Sequence, residues 1–260
     1  MSGQKIRERS ESFSDHFSQP RLYYKSLAPH EQKHVVDAYT FELSKVKRKH
    51  IRERQVQQIL ANIDLDLARQ VGANLGIEVP DLSLDFKPQS VEKSAKLSML
   101  AFPPADIQGR KIAVLIHNLV KSDALETIKN WAIKEGAVVH LLAPSLAPVK
   151  DHQDKIIAAD GMQMAEPSIA YDAVIIPDGD NLNAVIQDGV TRHYILEAYK
   201  HLKPIVFLGN KSDLLDPLNL VADEGTLIED EFKHISEKLK NLLKAHRVWS
   251  REKIAQHVPA

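Results

Sequence analysis

The second half of the chain contains four short runs of residues that are apolar at nearly every position. They are 111–117 (KIAVLIH), 137–143 (AVVHLLA), 173–177 (AVIIP) and 204–209 (PIVFLG). A strand with one wet face alternates apolar and polar residues, so uninterrupted apolar runs indicate strands buried on both faces. Such strands are typical of parallel sheets that helices cover on both sides. No other feature of the sequence constrains the fold as strongly.

Helix-like segments separate these runs. Asp123, with Glu126 three residues later, predicts a helix start, a second helix is expected to end near 199–203, and a last one to span about 229–246. Buried strands that alternate with helices predict an α/β fold. We expect a flavodoxin-like domain over residues 110–260, with a parallel sheet as the middle of three layers.

The first part of the chain shows a helical period instead. Its apolar residues recur every three to four positions, in two stripes: Val35, Tyr39, Leu43 and Val46, then Val56, Ile59 and Ile63. Asp64 predicts the cap of a further helix, which should stop at Gly76. We therefore expect a helical domain over residues 1–79. Residues 80–109 are rich in proline and lack a sustained period, which predicts a linker.

Composition excludes several classes of function. The chain has no cysteine, which rules out disulfide scaffolds, thiolate nucleophiles and iron–sulfur clusters. Its 34 Lys and Arg residues are balanced by 35 Asp and Glu residues, so the charge expected of a nucleic-acid binder is missing. No apolar run approaches the roughly 20 residues of a membrane helix, and the charged N-terminal residues do not form an export signal. We expect a cytoplasmic protein without membrane or nucleic-acid partners.

Residues 30–34 (HEQKH) match the H-E-x-x-H pattern of zinc peptidases. In that pattern His30 and His34 would bind zinc and Glu31 would act as a general base. Pro29 places His30 in the opening turn of a helix, however, and a third ligand in a dry cleft is not evident. The sequence favours a solvated helix face, with a zinc site as the alternative.

Polar residues follow two of the predicted strands. Residues 178–183 (DGDNLN) resemble a calcium loop, but the fifth and sixth positions of that loop are held by Leu182 and Asn183. Residues 209–213 (GNKSD) resemble a guanine-reading element, yet no phosphate-binding G-x-x-x-x-G-K-[ST] loop occurs in the chain. Because open α/β sheets bind ligands at the carboxyl ends of their strands, Asp178, Gly179 and Asn210 form a candidate ligand crevice.

Residues 5–24 carry large apolar side chains among charges, without a clear period. These side chains are Phe13, Phe17, Leu22, Tyr23 and Tyr24. Burying each one is worth roughly 1.5–3 kcal/mol, so together they favour a covered surface. We refer to this segment as the strap. It is expected either to contact a partner or to fold back on the chain's own helices.

Several segments together resemble one protein family, the large-subunit monofunctional haem catalases. Residues 7–19 (RERSESFSDHFSQ) resemble the stretch that follows the haem-binding barrel of those enzymes. Four segments resemble the helical domain of the family: 41–46 (FELSKV), 51–54 (IRER), 63–68 (IDLDLA) and 74–77 (NLGI). Two more resemble the extra C-terminal domain of the family: 197–204 (EAYKHLKP) and 245–250 (AHRVWS). The likeness spans nearly the whole chain. His30 and Pro20 depart from the residues usual in the family.

The resemblance implies a helical domain, a crossing linker and a flavodoxin-like domain similar to the class I glutamine amidotransferases. The cysteine chemistry of that superfamily does not carry over to a chain without cysteine. The family binds its haem iron through a Tyr four residues after an Arg, a pattern that this chain lacks. The resemblance therefore implies haem in the full-length family, with no catalytic, cofactor-binding or metal residue in this chain.

By resemblance, the chain would support the assembly or stability of a catalase in oxidative-stress defence, or act like a chaperone. Its partners would be a haem-bearing catalase core or further copies of itself. The alternative is a stand-alone α/β protein that binds a small molecule, or a zinc peptidase through His30 and His34.

Overall fold

The computed structural model describes residues 3, 5–81, 93–209 and 214–259. The chain divides into two compact units, Met1–Phe102 and Pro103–Ala260. Each unit has a hydrophobic core of its own. The domain boundaries expected at 79 and 109 remain predictions, because residues 82–92 between them lie outside the described residues.

The first unit is helical. Its helices are α1 (Ser18–Ser26), α2 (Pro29–Ser44), α3 (Lys49–Arg54), α4 (Ala61–Ile63) and α5 (Leu65–Leu75), with a π-helical segment, Gln55–Leu60, between α3 and α4. Asp64 caps α5 as predicted, since its Oδ1 accepts a hydrogen bond from the Leu67 amide at 3.0 Å. Gly76 ends α5 in the left-handed conformation, with φ +66°. The core of the unit includes Val36, Val56, Leu60, Leu67 and Val71.

The second unit contains a six-stranded parallel sheet. Its strands are β1 (Lys111–Leu115), β2 (Val138–Ala143), β5 (Gly161–Met162), β6 (Ala173–Ile176), β7 (Ile205–Leu208) and β8 (Thr226–Glu229), in the order β5-β2-β1-β6-β7-β8. A separate antiparallel pair is formed by β3 (Val149–Lys150) and β4 (Ile156–Ile157). If the short edge strand β5 is left out and the other five strands are numbered from 1 to 5 in chain order, the order across the sheet is 2-1-3-4-5. This is a doubly wound arrangement.

Helices cover both faces of this sheet. They are α6 (Asp123–Glu135), α7 (Leu182–Gln187), α8 (Gly189–Lys200) and α9 (Phe232–Ala245), followed by the short α10 (Glu252–Ala255). In β1, Ile112 and Val114 pack in the same cluster as α6 and α9, whereas Ala113 and Leu115 pack in the cluster of α7 and α8. The prediction of a helical part followed by an α/β parallel sheet is confirmed. The four predicted strands are all present, whereas β5 and β8 were not predicted.

A buried ion pair joins the segment after α9 to the sheet. The guanidinium of Arg251, which is fully buried, donates to both carboxylate oxygens of Asp223 at 2.6 and 2.7 Å. It also donates to the Lys203 carbonyl at 2.6 Å and stacks over the Tyr199 ring, 3.9 Å from its centroid. Burial raises the pKa of Asp223, but the Arg251 hydrogen bonds outweigh it, and the net shift is downward. Asp223 is therefore ionised and paired.

Lys203 is a second buried cation of this unit. Its side chain is 2% exposed, and Nζ donates to the carbonyls of Ile169 and Tyr171. Burial, assisted by the nearby charge of Arg247, lowers the pKa of Lys203 to about 8. The ammonium form is therefore less favoured in the folded protein than in the unfolded chain.

Candidate functional site

The candidate crevice lies where the strand order reverses. β1 and β6 are neighbours in the sheet, and the chain leaves β1 toward β2 on one side and β6 toward β7 on the other. Asp178 follows β6 by two residues, and Gly179 comes next. This is the topological switch point, at which open α/β sheets commonly bind ligands. Asn210, the third predicted residue, lies outside the described residues.

The loops at the switch point bond to each other. The Lys121 amide donates to the Asp178 carbonyl at 2.8 Å, and the Asp180 amide donates to the Leu119 carbonyl at 3.3 Å. The Lys121 ammonium forms an ion pair with the Asp178 carboxylate, whose other oxygen accepts from the Gly179 amide at 2.8 Å. The Asp178 hydrogen bond raises the pKa of Lys121. The space between the two strand ends is thus filled by the protein's own loops.

Two glycines permit this close packing. A Cβ on Gly179 would lie 2.4 Å from His117 Cε1 and 2.9 Å from the Leu119 carbonyl oxygen. Gly209 has φ +107°, and its Cβ would lie 2.8 Å from Asp178 Oδ1. Both positions therefore require glycine, for steric reasons in each case and for backbone conformation at Gly209.

A cleft of about 360 Å³ remains beside the sealed switch point. Its polar lining includes Lys121, Asp123, Asp178, Glu231 and Lys233. Lys121 pairs with Asp178, and Lys233 Nζ lies 2.5 Å from Glu231 Oε2, so these four charges compensate each other, while Asp123 adds a further negative charge. The cleft offers polar recognition, but its described lining contains no nucleophile held by a neighbouring base.

The H-E-x-x-H segment has a structural role at Glu31. This residue is 5% exposed, and its Oε2 accepts from the Ala28 amide at 2.6 Å and the Ser98 hydroxyl at 2.8 Å, while Oε1 accepts from the Met99 amide at 3.0 Å. Burial raises the pKa of Glu31, but these three hydrogen bonds lower it more. A carboxylate engaged in this way does not serve as a general base. Within the described part of the chain, no three acidic or His side chains form a group that could hold a metal ion.

We predict that Glu31→Gln destabilises the helical unit by about 1–3 kcal/mol, because an amide offers one acceptor oxygen where the carboxylate uses two. Urea denaturation followed by circular dichroism measures the change. The exposed Glu42, also on α2, provides a matched control, and Glu42→Gln should shift the free energy of unfolding by less than about 0.5 kcal/mol. Equal effects of the two substitutions would contradict the role assigned to Glu31.

The strap is less irregular than its sequence indicates. Three of its apolar residues, Leu22, Tyr23 and Tyr24, lie in α1, where Tyr24 is buried in the helical core. Phe17 and Leu22 are partly buried, whereas Phe13 is 67% exposed and Tyr23 is 51% exposed. Tyr24 is only 6% exposed, so most of its side chain packs against the chain's own helices. Contact with a partner remains a prediction for the five strap residues.

Sequence reasoning did not identify the pairing of Lys121 with Asp178 or the role of Glu31. A signal for the first was present, since Lys121 and Asp178 each follow a buried run that parallel pairing would place side by side. The partners of Glu31 at Ser98 and Met99 are 67 and 68 residues away in the chain. No local pattern marks such a contact.

Comparisons with known proteins cover both units. Residues 108–253 match the family model described as the C-terminal domain found in long catalases, and residues 10–75 match the one described as catalase-related immune-responsive. Catalase HPII of Pseudomonas putida is 42% identical over 98% of this chain, and Catalase-B of Dictyostelium discoideum is 39% identical over all of it. Catalase-2 of Bacillus subtilis is 31% identical over 96%. The chain spans only 36–38% of the length of these relatives.

Proposed function

Because this chain belongs to the family of the C-terminal domain found in long catalases, we propose that it is an accessory part of a peroxide-removing catalase. In this role it stabilises or helps to assemble a haem-bearing core and performs no peroxide chemistry itself. The observation that carries the proposal is the similarity of nearly the whole chain to little more than a third of several proteins named catalase. We further propose a flavodoxin-like topology, which the 2-1-3-4-5 strand order supports, and a cytoplasmic setting, which fits a chain without cysteine.

We propose that no tyrosine of the described residues holds a haem iron. Tyr194 is 3% exposed, and its hydroxyl is buried within the α/β unit. The Tyr171 hydroxyl bonds to Glu166, the Tyr199 hydroxyl donates to the Val221 carbonyl at 3.1 Å, and Tyr24 is packed in the helical core. Tyr23 and Tyr39 line an open groove of about 280 Å³, which is at the lower end of the volumes of small-ligand pockets. We therefore place the haem of the proposed complex in the partner, where the resemblance locates its axial Tyr.

The strap supplies the proposed contact surface. Phe13 and Tyr23 expose large aromatic side chains, a residue type that is enriched in protein–protein interfaces. Arg21 fixes the segment to the helical unit, since its guanidinium donates to the carbonyls of Ile63 at 3.0 Å and of Asn62. A rigid base with exposed aromatic side chains suits a partner interface.

Coexpression of this chain with the remaining part of Pseudomonas putida Catalase HPII tests the proposal. We expect the two to elute together from a sizing column, and the haem-loaded core to withstand heating several times longer with the chain than without it. Phe13→Ser and Tyr23→Ser should weaken both effects. Ile133→Ser, which removes a 75% exposed apolar side chain from α6, is the matched control and should leave them unchanged.

The purified chain alone should release no oxygen from hydrogen peroxide and show no Soret absorption after haem is added. The accessory role would be overturned if the chain and the core eluted separately and if the chain changed neither the inactivation rate of the core nor its aggregation in light scattering. Oxygen release by the chain alone would overturn its lack of peroxide chemistry. Each part of the proposal can thus fail separately.

A further inference from the structure

A second cleft of the α/β unit lies along α8. Its volume is about 360 Å³, and it shares no lining residue with the cleft at the switch point. The residues that matter for recognition are Gln163, Met164, Pro167, Val190, Tyr194 and Glu197. Met164, Pro167 and Val190 make part of the wall apolar, while the other three place polar groups in it.

Tyr194 presents a buried hydroxyl without a partner. The residue is 3% exposed, and its Oη forms no hydrogen bond with any described residue. Burial raises the pKa of Tyr194 far above its usual value, so the hydroxyl stays neutral and can both donate and accept. An unpaired buried hydroxyl costs about 1–3 kcal/mol, and a bound ligand would remove that cost.

Glu197 supplies an acceptor of negative charge. Its Oε2 accepts from the Ser168 amide at 3.2 Å and the Ser168 hydroxyl at 2.6 Å, which fixes the carboxylate in place. Among the residues that the structure describes, none donates a hydrogen bond to Oε1, and no cation forms an ion pair with this partly buried side chain. A half-buried carboxylate is best neutralised by a cation that also donates hydrogen bonds.

Gln163 supplies a donor at the other end of the cleft. Its Oε1 accepts from the Thr191 hydroxyl at 3.0 Å, so the amide group is oriented, and Nε2 remains available to a ligand. Thr191 and Glu197 are six residues apart on α8, which corresponds to roughly 9 Å along the helix axis. The helix dipole, which disfavours cations at an N-terminus, acts over the first turn and does not reach Glu197.

We propose that this cleft binds a small organic amine with an apolar body. The ammonium donates to Glu197 Oε1 and to Tyr194 Oη, and the body lies against Met164, Pro167 and Val190. An oxygen at the far end of the molecule accepts from Gln163 Nε2. The proposal is independent of the accessory role, because it concerns groups within the α/β unit alone.

Isothermal titration calorimetry of the whole chain with three matched compounds tests this ligand class. Tyramine carries the amine, tyrosol replaces it with a hydroxyl, and 4-hydroxyphenylacetate replaces it with a carboxylate. A charge-assisted hydrogen bond is worth about 1.5–3 kcal/mol, so tyramine should bind at least tenfold more tightly than tyrosol. The carboxylate compound should bind more weakly than both. No binding of tyramine at millimolar concentration, or equal binding of all three, would overturn the proposal.

Substitutions then locate the site. Tyr194→Phe should weaken tyramine binding about fivefold without lowering the unfolding midpoint, because the hydroxyl it removes has no partner in the described part of the protein. Glu197→Gln should abolish the preference for tyramine over tyrosol. Glu237→Gln, on the exposed face of α9, is the control and should bind as the parent does. Unchanged tyramine affinity in both Tyr194→Phe and Glu197→Gln would show that the amine binds elsewhere and would overturn the assignment.

Discussion

Replacing Arg251 with methionine is expected to lower the free energy of unfolding of the α/β unit by about 3–5 kcal/mol. The substitution leaves the Asp223 carboxylate buried without its cation and removes the donor to the Lys203 carbonyl. It also removes the stacking on Tyr199. Urea denaturation followed by tryptophan fluorescence and circular dichroism measures the loss.

A double variant distinguishes a buried charge from lost packing. Arg251→Met combined with Asp223→Leu leaves no orphaned ion, and it should recover a large part of the stability lost in Arg251→Met alone. The exposed pair of Lys33 and Asp37 is the control, since Lys33→Met should cost less than about 1 kcal/mol. If Arg251→Met lowered the free energy of unfolding no more than Lys33→Met does, the pair of Arg251 and Asp223 would have no special role in the fold.

Lys203 should make the stability of the protein depend on pH. Its pKa is about 8 in the folded state and 10.5 when unperturbed, so between these values the unfolded chain binds more protons than the folded one. Stability contributed by this group therefore rises with pH through that window. A pKa shift of this size changes the free energy of unfolding by about 3 kcal/mol when the pH crosses the whole window.

The measurement compares the parent with Lys203→Met at a series of pH values from 7 to 10.5. The substitution changes packing and carbonyl hydrogen bonds by an amount that is the same at each pH. The difference in unfolding free energy between the two proteins should therefore move by about 3 kcal/mol in favour of the parent as the pH rises. A difference that stays constant over this range would contradict a lowered pKa for Lys203.

Local patterns were sufficient to predict much of the fold. The runs that became β1, β2, β6 and β7 are apolar at every position that the sheet buries, and Asp64 and Gly76 mark the ends of α5 by cap chemistry. β8 was missed because Thr226 and Glu229 break its apolar pattern, and β5 because two residues carry no period. In the strap, helix formation by α1 buries Tyr24, although the residue spacing gave no periodic signal.

The candidate sites depended more on contacts that are distant in sequence. The rule that ligands bind at strand ends directed attention to Asp178 and Gly179, which lie at the switch point, and ligand binding there stays a prediction. The rule gave no indication that Lys121 would form an ion pair across the loops. Similarly, three donors from outside the H-E-x-x-H motif, or at its edge, determine the state of Glu31. The cleft along α8 has no motif at all, because Gln163 and Glu197 come from different elements.

The position of Arg251 in the chain has a consequence for biosynthesis. Asp223 precedes β8, and the guanidinium that neutralises it is translated 28 residues later, after all six strands of the sheet. A ribosome-bound chain that ends between these positions contains an unneutralised acid beside the edge strand β8. Compaction of this unit therefore awaits the emergence of the segment after α9, and nascent chains halted before it should remain sensitive to protease.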